Sequence, residues 1–345
     1  MSADGVVAVH GALLNLALAI VGGLIGNALG LPAGWLVGAV AATFFGALAG
    51  LRLYFPSWLQ TGVVLLIGIN IGGALDPAML PGVGQWLPSL AGLFISIIVT
   101  MTLVVMFLRG VGRFNLDSAV LASYPGHMVL VMQTAAASRC DLRQVTMTQS
   151  LRMLFLVACL PAIAHGLTGE TTATAPAATD WLALGALTAA GLAGVAVAHW
   201  LRLPAAILLG TVIGAGAASL AGVSMGKLPV AMELAIFVLT GALIGSRFVG
   251  TRVRTLLRML PVALSAVTIT MGATALLAWP ISLLVGIPIA QLLLAYAPGG
   301  AEVMAIIALA TGYDPAFVGI HHVLRLLVMA LLLPVLARWV LTSRD

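Results

Sequence analysis

The chain has 345 residues, of which 62% are hydrophobic and 7% charged, and its mean hydropathy is +1.17. Soluble domains carry about 25% charged residues, so this composition excludes an ordinary soluble protein and predicts an all-α polytopic membrane protein. The basic residues behind the formal net charge of +5 are scattered singly between apolar runs, so they indicate membrane topology and no nucleic-acid partner.

The first predicted element runs from Val6 to Leu29 without a charged residue. It is long enough for the ~20 residues that cross ~30 Å of hydrocarbon, and no basic segment precedes it. We expect a retained membrane helix. Eleven further apolar segments follow, separated by Gly, Pro and charge clusters. They run over residues 32–50, 56–75, 86–108, 116–137, 142–165, 180–200, 203–222, 228–248, 256–279, 288–311 and 315–342.

The twelve segments fall into two halves that resemble each other. Sliding the chain along itself by 172 or 173 positions aligns Pro, Gly, Asp and Arg residues in register, which chance similarity between apolar helices would not do. The aligned positions include Leu31-Pro32-Ala33 with Leu203-Pro204-Ala205, Gly68 with Gly241, Pro125-Gly126 with Pro298-Gly299, Asp141 with Asp314, and Leu151-Arg152 with Leu324-Arg325. We predict two homologous membrane repeats, residues 1–167 and 181–345, joined by an external linker at 168–180 that is rich in Thr, Ala and Pro.

The positions of the basic residues favour inverted repeats. If all twelve segments crossed the bilayer, the loop basic residues would divide six against seven, which conflicts with the positive-inside rule. If the segments with Pro125-Gly126 and Pro298-Gly299 each enter and leave on one side, twelve arginines face the cytoplasm and only Lys227 lies outside. Each half then has about five spanning helices and one broken or re-entrant segment, and both termini are cytoplasmic. This arrangement is typical of secondary transporters.

The two broken segments are predicted to form the binding site. Proline removes a backbone donor and glycine permits a non-helical turn, so Tyr296-Ala297-Pro298-Gly299-Gly300 should free amides at the start of the next half-helix. Such an end is partly positive and suits an anion. The counterpart in the first half is Tyr124-Pro125-Gly126-His127. A simple helix kink is the alternative for both.

Arg152 and Arg325 are the two arginines expected at membrane depth. Arg325 follows Pro315 by ten positions, about 15 Å along a helix, and Arg152 occupies the equivalent depth. An arginine at this depth must find a carboxylate, backbone carbonyls or water. Two roles remain open for each, namely a clamp on carbonyls freed by the breaks and a direct contact with an anionic substrate.

Further polar residues extend this predicted site. Glu302 has no acidic counterpart in the first half, and it is expected either to pair with Arg325 or to bind a proton or cation. His321 shares a helix face with Arg325, whereas His322 points ~100° away, so the two histidines cannot both face one metal. A polar cavity lining or a proton relay is the favoured role for them. Gln149 joins the predicted cluster of the first half.

Other patterns predict structure. Asp141 and Asp314 are expected to cap the helices that follow them. Pairs of glycines with GxxxG spacing predict close helix packing. These pairs are Gly34/Gly38, Gly46/Gly50, Gly68/Gly72, Gly210/Gly214 and Gly241/Gly245. The chain contains no Walker loop, nucleophile elbow or HExxH motif, and its His and Cys spacing fits no copper, iron or zinc site. We therefore predict no enzyme activity, no metal and no cofactor.

The second half resembles a known family in its motifs. The stretches that carry the resemblance are Tyr296-Ala297-Pro298-Gly299-Gly300-Ala301-Glu302-Val303-Met304, Gly312-Tyr313-Asp314-Pro315-Ala316-Phe317-Val318 and His321-His322-Val323-Leu324-Arg325. Together with the tandem pattern over nearly the whole chain, they are similar to the AbrB-type membrane protein family. The resemblance implies an internally duplicated membrane protein. The family has been labelled ammonia monooxygenase and transporter, and its name also reflects a link to regulation of gene expression. The family name is shared with a small DNA-binding regulator, whereas this sequence has no soluble nucleic-acid-binding domain.

The first half departs from the family pattern, because His127 stands where the second half has Gly300 and Val129 where it has Glu302. Among functions, a secondary transporter of a small solute in the cytoplasmic (inner) membrane is the leading hypothesis, with an anion as one candidate for the solute. A membrane sensor that affects gene expression indirectly is the alternative, and a membrane monooxygenase ranks last. The expected partners are the lipid bilayer and a small molecule or ion; a homo-oligomer stays open.

Overall fold

The structure is a computed structural model that describes residues 3–78, 84, 86–126, 128–168 and 179–342. The described residues form fourteen α-helices and no β-strand. The helices are α1 (Ala3–Ala28), α2 (Gly34–Leu48), α3 (Ser57–Gly73), α4 (Leu87–Gly110), α5 (Leu116–Ser123), α6 (Met128–Ala136), α7 (Leu142–Thr168), α8 (Trp181–Trp200), α9 (Ala206–Leu220), α10 (Val230–Ser246), α11 (Val253–Val285), α12 (Ile289–Tyr296), α13 (Ala301–Ala310) and α14 (Pro315–Thr342). The prediction of an all-α protein is confirmed.

Six helices in the described residues are long and apolar enough to cross a membrane, namely α1, α4, α7, α8, α11 and α14. Four shorter apolar helices, α2, α3, α9 and α10, have 15 or 17 residues each. At 1.5 Å per residue they are only about 22 to 26 Å long. The ten segments that were predicted to span thus divide into six of full length and four shorter ones.

Both predicted breaks are present. Residues 116–137 form two short helices, α5 and α6, and residues 288–311 form α12 and α13. Tyr124 and Ala297 end the first helix of each pair in an extended conformation, with ψ of 122° and 137°. Each precedes a proline, and the proline ring disfavours helical backbone at the residue before it. The X-Pro step therefore explains where each helix stops.

The chain divides into two compact units, and each draws on both halves of the sequence. Unit 1 comprises Met1–Gly82, Val157–Val253 and Ala305–Ala316, and unit 2 comprises Val83–Leu156, Arg254–Met304 and Phe317–Asp345. These units are built from non-contiguous stretches, so they are distinct from the predicted repeats, whose boundaries stay a prediction. The predicted linker, apart from residues 168, 179 and 180, lies outside the described residues.

Glycines allow the helices of unit 1 to approach closely. A Cβ on Gly38 would lie 2.0 Å from the Gly22 oxygen, and one on Gly214 would lie 2.1 Å from the Ala190 oxygen. Helix α10 packs through Gly241 against Ala39, and α3 packs through Gly68 against Thr211. Close packing at GxxxG pairs is thus confirmed at these pairs. The exception is Gly50, which follows α2 with φ of 88° and has open space around it.

The Leu-Pro-Ala stretches, aligned by the sequence comparison, have matching backbones. Ala33 and Ala205 each precede a helix in the left-handed conformation, with φ of 52° and 48°. A left-handed alanine is uncommon, since its Cβ crowds the neighbouring carbonyl. The same conformation at both positions supports the predicted duplication. The predicted helix caps are confirmed. The Asp141 carboxylate accepts from the Arg143 and Gln144 amides, and that of Asp314 accepts from the Ala316 amide.

Candidate functional site

The second break is held by Arg325 of α14. Its guanidinium donates from Nη1 to the Ala297 carbonyl at 2.6 Å and from Nη2 to the Gly299 carbonyl at 2.5 Å. The side chain is only 3% exposed. The break interrupts the helical ladder, so these carbonyls have lost their usual partners one turn further along the helix. The Ala297 carbonyl also accepts from the Gly299 amide at 2.8 Å, and the arginine fork gives both carbonyls a charged donor. Of the two predicted roles, this geometry is that of the clamp.

His322 and His321 also belong to the framework around the second break. His322 donates from Nε2 to the Leu294 carbonyl of α12 at 2.9 Å. His321 donates from Nδ1 to the Phe317 carbonyl at 2.8 Å, so its Nε2 accepts from the Ser89 hydroxyl at 2.9 Å. The Tyr296 hydroxyl completes the chain by donating to the Ser89 carbonyl at 2.5 Å. Both nitrogens of His321 are thus engaged in a network that joins α4, α12 and α14.

Gln149 of α7 holds the first break. Its Nε2 donates to the carbonyls of Leu121 and Tyr124 at 2.9 and 3.1 Å, and its Oε1 accepts from Arg152 Nη2 at 2.6 Å. Arg152 reaches the carbonyls of Ala122 and Tyr124 only at 3.5 Å. At that distance a hydrogen bond is weak. The amide therefore does at the first break what the arginine does at the second.

Equivalent contacts recur at positions 173 apart in the sequence. Gln149 and His322 donate to carbonyls at 121 and 294, and Arg152 and Arg325 donate to carbonyls at 124 and 297. Each donor pair and each acceptor pair is related by the same offset. Helices α7 and α14 thus donate to equivalent carbonyls of their breaks with different side chains, and the arginine contact is 3.5 Å in the first case and 2.6 Å in the second.

One cavity in unit 2 is lined by residues of both breaks. It measures about 20 Å³, which is room for one water molecule or one small ion. Pro125 and Pro298 line it together with Arg152, and none of the described lining residues carries a carboxylate. The remaining polar lining residues are Thr100, Ser123, Thr148 and Thr270. The structure thus brings the first-half arginine and both Pro-Gly turns to one place.

The chain is similar to known proteins over most of its length. A family described as "Transition state regulatory protein AbrB" matches residues 35–341, which is most of the chain. The chain belongs to the AbrB family. A curated relative from Escherichia coli (strain K12), named "Putative regulator AbrB", is 24% identical over 317 residues, covering 90% of this chain and 91% of that protein. The family resemblance of the sequence motifs is thereby confirmed.

Two of the predicted site residues cannot be placed. His127 lies outside the described residues, and so does the side chain of Glu302, although its backbone belongs to α13. Tyr124 is buried and donates its hydroxyl to the Met329 carbonyl, so it anchors the first break to α14. Binding roles for the predicted residues stay predictions in this AbrB-family chain. Among the described residues, no group of three or more His, Cys, Asp and Glu could hold a metal ion.

Sequence reasoning missed Ser89, Thr148, Thr100 and Thr270. Hydroxyl residues are common in membrane helices, and nothing in the spacing of Ser89, Thr100 and Thr270 distinguishes them from other serines and threonines. Ser89 and Thr148 come near the breaks only because α4 and α7 pack against them in unit 2. A weak signal did exist for Thr148, because it lies four positions before Arg152 and therefore shares its helix face.

Proposed function

We propose that the protein is a secondary transporter that moves a small solute across the cytoplasmic membrane, with its binding site at the cavity beside the two broken helices. Transporters of several folds place their site at such interrupted helices, where backbone groups freed from the ladder face a cavity. The observation that carries the proposal is that Pro125 and Pro298 line one cavity with the buried Arg152.

The hydrogen bonds around the breaks support this proposal. Buried polar and ionisable side chains donate to the carbonyls beside both turns, namely Gln149, Arg152, His322 and Arg325. Ionisable residues at membrane depth are costly and usually functional. Holding the two turns in fixed positions keeps a non-helical backbone available for a ligand.

The proposal includes inverted repeats with both termini in the cytoplasm. The arginine distribution and the matched contacts at an offset of 173 support it. Single cysteines introduced after Leu108, Ser138 and Ser246, in a background lacking Cys140 and Cys159, should label from the cytoplasm with a membrane-impermeant reagent. If the loops at Arg109 and Arg139 label from opposite sides, the segment between them spans the bilayer and the inverted arrangement is wrong.

Transport itself is tested in proteoliposomes. The purified full-length protein is reconstituted, and gradients of formate, chloride, ammonium and alanine are applied while flux or current is recorded. We expect a signal with at least one solute, absent from empty liposomes and from Arg152→Ala. Gly62→Ala is the matched control, since a Cβ there meets nothing within 4 Å and the residue lies outside the site. Binding of a solute without any flux would contradict a transporter.

A membrane sensor is the second candidate. The E. coli relative is named a regulator, and the family description also refers to regulation. A sensor would bind the same solute in the same cavity and pass the signal to a partner without moving the solute. Binding without flux is therefore the outcome that favours the sensor.

A further inference from the structure

The walls of the cavity beside the two breaks contain buried hydrogen-bond donors without a partner among the described residues. Four hydroxyl side chains line it. Three of them donate to carbonyls of their own helices, Thr100 to Ser96 at 2.6 Å, Thr270 to Ala266 at 2.8 Å and Ser123 to Val120 at 2.9 Å. Such bonds are the usual way for a helix to satisfy a hydroxyl in an apolar environment. These three hydrogens are not available to a ligand.

Thr148 is the exception. Its hydroxyl is buried, the residue is 4% exposed, and its Oγ1 has no partner among the described residues. The Nε of Arg152 is likewise buried without a partner within the described part of the chain. Thr148 and Arg152 are four positions apart on α7, so they lie on the same helix face. Leaving a buried donor unsatisfied destabilises a protein, more so when the group is charged.

The described residues that contact Arg152 also provide no negative charge. Its guanidinium partners among the described residues are the Gln149 amide oxygen and two backbone carbonyls, all of them neutral. Arginine stays protonated in proteins, so the site carries a full positive charge at 8% exposure. Arg325 differs in geometry, because its Nη atoms make short bonds to the Ala297 and Gly299 carbonyls, at 2.6 and 2.5 Å, whereas Arg152 approaches its carbonyls only to 3.5 Å.

From these observations we infer that the cavity binds one small monovalent anion, of halide to formate size, through Arg152 and the Thr148 hydroxyl, while Arg325 only positions the second break. This inference rests on the proposed function for its setting and adds the class of solute. An anion would accept from the two unused donors and balance the buried charge. The cavity volume of about 20 Å³ limits the guest to a small ion unless the walls move.

The decisive comparison uses two threonines that line the same cavity. Thr148→Val removes a hydroxyl that has an unused hydrogen, and Thr100→Val removes one whose hydrogen is bound to Ser96. Both replacements keep the shape of the side chain, so both variants should fold. Thermal unfolding of the purified full-length protein is followed with increasing sodium formate or sodium chloride, with sodium gluconate keeping the ionic strength constant.

We expect both probes to raise the unfolding temperature of the parent protein in a saturable manner. In Thr148→Val the half-saturating concentration should rise about 10- to 100-fold, as expected for a lost hydrogen bond to a charged group. In Thr100→Val it should change by less than about twofold. The inference is wrong if neither anion shifts the parent, or if Thr148→Val responds as the parent does.

The proteoliposome assay separates this inference from the proposed function. Thr148-dependent binding of formate or chloride without flux would leave the anion site intact and remove the transporter. Flux of ammonium or alanine, in a protein that neither anion stabilises, would leave the transporter intact and remove the anion site.

Discussion

The two breaks have the same backbone design and are held by different chemistry. At the second break a fork-shaped guanidinium grips two carbonyls at 2.6 and 2.5 Å, and a histidine holds a third. At the first break the neutral amide of Gln149 donates to two carbonyls, and the Arg152 guanidinium lies 3.5 Å from the Tyr124 carbonyl. Equivalent arginines in two similar segments therefore need not have equivalent roles. The Nη atoms of Arg325 are bound to backbone carbonyls, whereas Arg152 keeps a buried Nε donor without a partner among the described residues.

The largest expected difference in stability comes from removing each arginine in turn. Arg325→Ala should lower the free energy of unfolding by about 3 kcal/mol or more, because two buried carbonyls lose charged donors. Arg152→Ala should cost about 1 kcal/mol, since its carbonyl contacts are long and only the bond to Gln149 is short. Unfolding by SDS in mixed micelles measures both. Equal losses would show that the two arginines carry equal structural roles.

The amide of the first break gives the next largest effect. Gln149→Leu should cost about 2 kcal/mol, because the carbonyls of Leu121 and Tyr124 lose their donor and Arg152 loses its acceptor. The same unfolding measurement applies. Gln144→Leu on the same helix is the control, since its side chain is only half-buried and is not the donor to the Leu121 or Tyr124 carbonyl, and it should change stability by about 0.5 kcal/mol or less. A neutral Gln149→Leu would mean that another group holds the first break.

The glycines of the two breaks differ in the neighbours that an added Cβ would meet. A Cβ on Gly126 would lie 2.5 Å from the ring of Tyr124, whose hydroxyl is fixed to the Met329 carbonyl. A Cβ on Gly299 would lie 2.5 Å from the terminal methyl of Met304, which is a flexible side chain. Gly126→Ala should therefore cost about 2 kcal/mol and Gly299→Ala about 1 kcal/mol. The reverse order, measured by thermal or SDS unfolding, would contradict this account of the turns.

The smallest effect is expected from exchanging a residue between the breaks. His322→Gln places at the second break the residue type that stands 173 positions earlier. A glutamine can donate to the Leu294 carbonyl as the histidine does, so the loss should stay below about 1 kcal/mol. His322→Leu, which has no donor, should cost more than His322→Gln. If the two variants unfold alike, the hydrogen bond to Leu294 contributes nothing measurable.

Much of the architecture could be predicted because it depends on local chemistry. The helix ends at Tyr124 and Ala297 follow from the prolines after them, and the caps at Asp141 and Asp314 follow from carboxylates placed before helices. The candidate site was less predictable. Arg152 and Arg325 were expected to have the same two alternatives, and only their distances to the carbonyls separate them.

The sequence alone predicts a helical membrane protein with two interrupted helices, because hydropathy, proline and glycine act over a few neighbouring residues. The internal register of 173 positions was also readable from the sequence alone. The tertiary structure was needed to show that residues of both breaks line one cavity, and that the Thr148 hydroxyl there has no partner among the described residues. Whether a donor is used depends on which atoms lie within about 3 Å of it, and the packing of distant segments sets those distances.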